Sequence, residues 1–275
     1  MKQLYSLRKI SVSFVLFFLF LIVSGGNPYR FSAGAGESGI GYACSMKPGF
    51  WSSFHNQALL AYNNSFSFGM NYENRFNISE LGTRTAGLLI PTGKTSLGIM
   101  YSHFGYYNFR RQMVGLACGL SLSENIAAGV QVDYFSEKTT GEYNNYQLVT
   151  CEVGALAKAS DKVMIGIHLF NPVPNSLRKT ALPSSIRAGA GIELSSVLFA
   201  GAEAELSTCE KLIFRTGFEY EVLKKFWFRG GFSTENTSFS FGLGYLLKFC
   251  KLDLSFATHE RLGITSCASL IFKIH

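Results

Sequence analysis

The sequence predicts an all-β fold, a single transmembrane antiparallel β-barrel of about fourteen strands with an N-terminal hatch or plug segment, and three observations lead there. Bulky apolar residues alternate with small, polar or charged ones at a period of two through most of the chain. Too few segments remain to cover the apolar side of so many strands. The links between strands also sort by parity into tight turns and longer loops. The alternation is clearest from Lys211 to Phe249. There Leu212, Phe214, Phe218 and Tyr220 share one side against Arg215, Gly217, Glu219 and Glu221, and the rule resumes twice, with Phe226, Phe228 and Phe232, then with Phe239, Phe241, Leu243 and Tyr245. The greasy side is therefore expected to face lipid and the polar side to line a lumen.

Taken in order, the chain begins with a basic stretch (Lys2, Arg8, Lys9) and the apolar run Val12 to Val23, then Ser24-Gly25-Gly26. Residues 1–25 read as a secretory signal peptide, because the run is too short for a comfortable helical span; an uncleaved anchor is the alternative. Removing those three charges from the formal +7 leaves +4. The remaining basic residues are scattered, so no nucleic-acid partner is expected. Residues 26–64 lack the alternation and are rich in glycine, as an irregular hatch preceding a barrel would be. Its second half is expected to form a short helix with Trp51, Phe54, Ala58 and Leu59 near one face, and Trp51, Phe54, His55, Asn56, Gln57, Ala58 and Leu59 are its candidate hatch residues.

Residues 65–275 supply the barrel. Strands are expected at 65–76, 81–91, 95–104, 112–122, 126–135, 146–158, 163–170, 185–194, 198–206, 212–222, 226–233, 238–247, 251–258 and 266–273. The even-numbered links are all tight. The longer odd-numbered ones are 105–111, 136–145 and 171–184, the last broken by Pro172, Pro174 and Pro183. Short turns at one end and longer loops at the other are the pattern of an outer-membrane barrel, with the short ones periplasmic.

Apolar residues facing lipid would turn Glu73, Asp133, Glu152, Arg187, Glu193, Glu203, Glu205, Arg215, Glu219, Arg229 and Asp253 into the lumen. Confined charges of both signs are expected to pair and brace the wall. Carboxylates on one strand face, such as Glu203 with Glu205, could hold a cation or do acid–base work, but no nucleophile or metal-ligand spacing accompanies them. No enzyme, cofactor or metal site is expected. Gly34-x-Gly36-x-x-Gly39 matches a dinucleotide fingerprint only as a string, since no strand precedes it. Of the six cysteines, Cys118 and Cys151 fall on the apolar side of strands, Cys209 and Cys250 at opposite barrel ends, and Cys44 and Cys267 have no assigned place.

The stretch Gly39 to Ala61, GIGYACSMKPGFWSSFHNQALLA, resembles the N-terminal signature of the PorV/PorQ-like family within the FadL-like superfamily of outer-membrane barrels. The resemblance continues through Asn74-Arg-Phe76, Glu80-Leu81, Gly129 to Tyr134 and Asn171-Pro172. It implies a fourteen-stranded barrel with a hatch at Trp51 to Ala61. The family's Asn-Pro-Ala is here Asn56-Gln57-Ala58, and the chain ends on Ile274-His275 rather than phenylalanine. It also implies location in the outer membrane, with the bilayer as first partner. Relatives divide between secretion and transport. The short chain and small outer loops favour a non-enzymatic accessory of type IX secretion or surface assembly, with envelope or secretion proteins as partners. The alternative is a FadL-like passive channel for hydrophobic small molecules.

Overall fold

The computed structural model describes Tyr29 and residues 31–140, 145–173, 176–177 and 180–274, the side chains of 176, 177, 180 and 181 apart; the leader read in residues 1–25 lies outside them. Fourteen strands close into one antiparallel barrel. They are β1 (Phe66–Asn74), β2 (Gly82–Thr92), β3 (Thr95–Gly105), β4 (Phe109–Ser121), β5 (Ile126–Thr139), β6 (Tyr146–Lys158), β7 (Val163–Phe170), β10 (Ser185–Ser195), β11 (Leu198–Ser207), β12 (Ile213–Leu223), β13 (Phe226–Ser233), β14 (Ser238–Leu246), β15 (Cys250–His259) and β16 (Gly263–Ile274). Two-residue strands β8 (Ser176–Leu177) and β9 (Thr180–Ala181) pair with each other in the proline-bearing loop, so β7 pairs directly with β10. β1 against β16 closes the ring, which leaves the fourteen-stranded barrel no open edge.

Side-chain direction follows the alternation. In β5, Val130 and Val132 are 55% and 52% exposed although they sit mid-strand, while Gln131 and Asp133, which alternate with them, are buried. A protein that leaves valines bare and buries an aspartate is turned inside out relative to a water-soluble fold, and hydrocarbon is the solvent that makes this favourable. Val132→Arg is therefore expected to cost about 2–4 kcal/mol, the penalty for a cation on a barrel's lipid face near the bilayer midplane. Urea titration of folding into vesicles checks this, with Val222→Arg, near the short-turn rim, expected to cost less.

The tight links sit where expected, at 93–94, 122–125, 159–162, 196–197, 224–225 and 247–249. At the other end two of the three longer links are shorter than the sequence implied, 106–108 and 140–145, while 171–184 keeps its length. β4 begins at Phe109 and β5 runs to Thr139, taking in residues read as loop.

The stretch 31–62 fills the lumen. Its conformation corrects the expected single short helix. A five-residue helix α1 (Ala35–Gly39) is followed by two 3-10 turns, Phe50–Phe54 and Gln57–Tyr62. The break falls at Asn56, whose extended backbone (φ −166°, ψ 112°) lets its side-chain oxygen accept from the amide of Ala58 at 3.1 Å and restart the chain as a cap does. α1 lies against β13–β16 and the second turn against β3–β6. Close approach explains glycines on the inward side of the wall. A side chain at Gly129 would meet the backbone of Gln57 and Ala58, and one at Gly231 that of Ile40 and Gly41.

Candidate functional site: the occupied lumen

The lumen has two chemically distinct walls. On one side Phe31, Phe50, Trp51, Phe54 and Leu60 pack against Leu89, Met100, Met113, Phe135, Leu148 and Phe170, with Tyr29, Phe104 and Tyr146 at its margin. Phe50 and Trp51 meet edge-on at 4.8 Å, and Phe31 stacks on Phe135 at 6.1 Å. Ala58 and Leu59 enter a second apolar cluster with Met46, Ala127, Leu156 and Phe199.

The opposite wall is ionic. Arg187 bridges Glu203 at 2.6 Å, Arg215 bridges Glu205 and Glu235 at 2.6 Å each, and Arg229 bridges Asp253 at 2.7 Å and Glu219 at 2.5 Å. Register places these charges. Glu203 lies opposite Arg215 and Glu219 opposite Arg229, while Gly242 and Gly244 on the intervening β14 leave room for Arg229 to reach Asp253. A Cβ on Gly244 would stand 2.7 Å from Arg229 Nη1 and obstruct the bridge.

The 31–62 stretch is wired into both walls. Lys47 bridges Glu219 at 2.8 Å, the amide of Ser45 donates to Glu203 at 2.9 Å, and the Tyr42 hydroxyl donates to Glu73 at 3.0 Å. The Asn56 side chain donates to the carbonyls of Ser45 and Ala155, and Gln57 donates to Glu152 at 2.5 Å, which also meets His168 at 2.8 Å. His55 contacts the carbonyl of Ala33 at 2.9 Å. Gln131 donates to Asp133 at 2.8 Å. Near the longer-loop end Arg111 bridges Glu137 at 2.7 Å and lies 4.3 Å from the Tyr29 ring.

Trp51, Phe54, His55, Asn56, Gln57, Ala58 and Leu59 are all buried. Of the charges read as lumen-lining, Glu73, Asp133, Glu152, Arg187, Glu203, Glu205, Arg215, Arg229 and Asp253 are buried, and Glu219 is partly so. Glu193 differs in being exposed rather than enclosed. It has the inward parity but is exposed, because it stands at the end of β10, where a bulge between Glu193 and Ser195 ends the regular ladder. There it lines a polar vestibule of about 660 Å³ with Lys158, Glu219 and Trp227, floored by Lys47, Pro48 and Tyr62. The sequence alone offers no reading of Arg111, Glu137 and Lys47 as lumen residues, whereas His168, read there as a polar lining or girdle residue, lines the lumen beside Glu152.

Among the described residues no group of three or more His, Cys, Asp or Glu side chains is placed to hold a metal ion. All six cysteines are free thiols. Cys44 and Cys267 lie in the lumen, and burial pushes the Cys44 thiol up, which holds it in the unreactive protonated form.

No protein-family model matches the chain, and no curated protein matches it. Solved structures do. The CymD monoaromatic hydrocarbon channel superposes with a TM-score of 0.69 at 12% identity, over 90% of this chain and 99% of that one. The shared fold is the closed fourteen-stranded antiparallel barrel. The toluene transporter TbuX of Ralstonia pickettii matches equally well, at 0.69 and 11% identity, over 90% of this chain and 100% of that one. A Pseudomonas aeruginosa FadL homologue follows at 0.66 and 11%, over 89% and 99%. The narrower PorV/PorQ-like assignment finds no support among the matched structures, and these neighbours are transport channels rather than enzymes.

Proposed function

We propose that the protein is a passive outer-membrane passage for apolar small molecules, with residues 31–62 as a hatch that closes it in this conformation and residues 1–25 as the cleaved leader that exports it. The observation that carries this reading is the apolar inner wall. Phe135, Leu148, Phe170, Met100 and Met113 form an inward-facing apolar band that shares β3–β7 with Gln131, Asp133, Glu152 and His168, whereas the lining of a water-filled pore would be polar throughout. A wall of that kind offers a hydrocarbon a path of low desolvation cost and offers a sugar none. The printed descriptions of the neighbours, a monoaromatic hydrocarbon channel and a toluene transporter, support the same class of cargo. They support a channel more than a secretion accessory, and the likeness runs through nearly the whole of both chains.

The test is flux into proteoliposomes of defined composition. A monocyclic aromatic hydrocarbon is expected to enter faster than through protein-free vesicles, while a monosaccharide of similar size is not. Equal passage of both solutes would identify a polar pore instead. No passage of either, with recovery from envelopes in a stable complex with secretion proteins, would restore the accessory role.

A further inference from the structure

The short-turn rim does not carry its charge evenly. The turn between β12 and β13 is Lys224-Lys225, and the turn between β14 and β15 is Leu247-Lys248-Phe249; in the ring these two turns are neighbours. All three lysines are exposed. Among the described residues none of their ammonium groups is in a salt bridge: the nearby Glu221 accepts from the backbone amide of Lys225 at 2.9 Å, which closes the turn. The other tight turns differ. One carries Lys94, one Glu124, one Asp161 with Lys162, and the 196–197 turn no charge.

Below these ammonium groups lies an outward apolar bed. Leu223 and Phe249 are 69% and 71% exposed, Tyr245 faces out, and the Phe226 and Tyr245 rings lie 6.5 Å apart. The Lys248 ammonium stands 5.3 Å from the Phe249 ring. Aromatic rings at the level of the glycerol backbone, with lysines reaching past them to the water side, are matched to one kind of partner, an amphiphile with an apolar tail and an anionic head.

We propose that this arc binds the headgroups of anionic phospholipids in the leaflet that the short turns face. The phosphodiester accepts hydrogen bonds from Lys224, Lys225 and Lys248, and the acyl chains lie on Leu223, Tyr245 and Phe249. The interaction is short-ranged, since exposed charges are screened beyond about 8 Å at physiological salt, so it selects lipids in direct contact. The proposal rests on the barrel spanning a membrane, but not on what the barrel passes.

The experiment is mass spectrometry of lipids retained by the full chain after partial delipidation from nanodiscs of equal phosphatidylglycerol and phosphatidylcholine. The wild type is expected to retain the anionic lipid preferentially. Lys224→Gln/Lys225→Gln/Lys248→Gln is expected to lose that preference, by about fivefold for each charge removed. Lys94→Gln/Lys162→Gln, elsewhere on the rim, keeps it. Heat-dependent electrophoretic mobility establishes that each variant is folded, and hydrocarbon flux of the triple variant is expected to match the wild type, which separates this proposal from the passage itself. Equal retention of both lipids by the wild type overturns the proposal. So does an undiminished preference in the triple variant, or a stronger preference for lipid A phosphates when these are offered alongside.

Discussion

Arg215→Met is expected to destabilise the barrel by about 3–5 kcal/mol, the usual effect of removing one partner from a buried ionic cluster. The Arg215 side chain is 1% exposed and sits among three carboxylates, with Glu205 and Glu235 each at 2.6 Å and Glu203 at 3.5 Å. Methionine matches much of the volume, so the change isolates charge from packing. What remains is a concentration of negative charge in a confined interior, where the carboxylates have lost the guanidinium that helped to offset their desolvation. Arg187 still holds Glu203 at 2.6 Å, which limits the damage to one side of the cluster. Lys47→Met provides the contrast. Lys47 also bridges a carboxylate, Glu219, but its side chain is 23% exposed at the vestibule and Arg229 continues to serve that acid, so a cost of about 1 kcal/mol or less is expected. Urea-dependent unfolding in detergent distinguishes the two. Equal effects would mean that burial does not set the worth of these bridges.

That cluster also marks where sequence reasoning stops. The parity of Glu203, Glu205, Arg215, Glu219 and Arg229 is legible, because the greasy residues on the other side of each strand fix which way they point. Their partners are not legible, because pairing depends on register across strands, and register emerges only when the ring closes. Arg111 and Glu137 were missed for a different reason. Each continues the inward parity of its strand, Arg111 two residues before Met113 and Glu137 four after Asp133. The apolar alternation of these strands ends near Met113 and Phe135, and beyond it charged residues such as Arg110 and Lys138 carry no strand signal. A barrel strand extends beyond the apolar span, and there polar residues no longer signal its end. The 31–62 stretch was legible as irregular, and its seven central residues as a unit. Its path was not, since backbone laid against wall glycines leaves no periodic trace. His168 falls within a recognised strand at inward parity, and its contact with Glu152 came from the β6–β7 pairing.

Gly119→Val is expected to raise hydrocarbon flux, and it tests whether residues 31–62 act as a gate or only as a brace. Gly119 faces inward from β4. A Cβ there would stand 2.6 Å from the carbonyl oxygen of Gln57, 2.7 Å from Leu60 Cβ and 2.9 Å from the amide nitrogen of Ala61. Two of these atoms are backbone, so no change of rotamer relieves the clash and the second 3-10 turn must leave the wall. Overpacking of this kind costs about 1–3 kcal/mol. Valine favours the strand itself, so the cost falls on the occupied lumen rather than on the barrel. If that stretch is what closes the passage, the ratio of unblocked to blocked barrels rises by about 5- to 150-fold for the same energy. Proteoliposome flux would report the change. Gly93→Ala is the control for a lost glycine without a lost closure. Gly93 sits in the β2–β3 turn at φ +81° with nothing within 4 Å, so alanine strains the turn and costs stability while leaving flux as it was. Should Gly119→Val lower stability as Gly93→Ala does and leave flux unchanged, the N-terminal stretch braces the wall without gating it, and the route for apolar solutes must lie elsewhere.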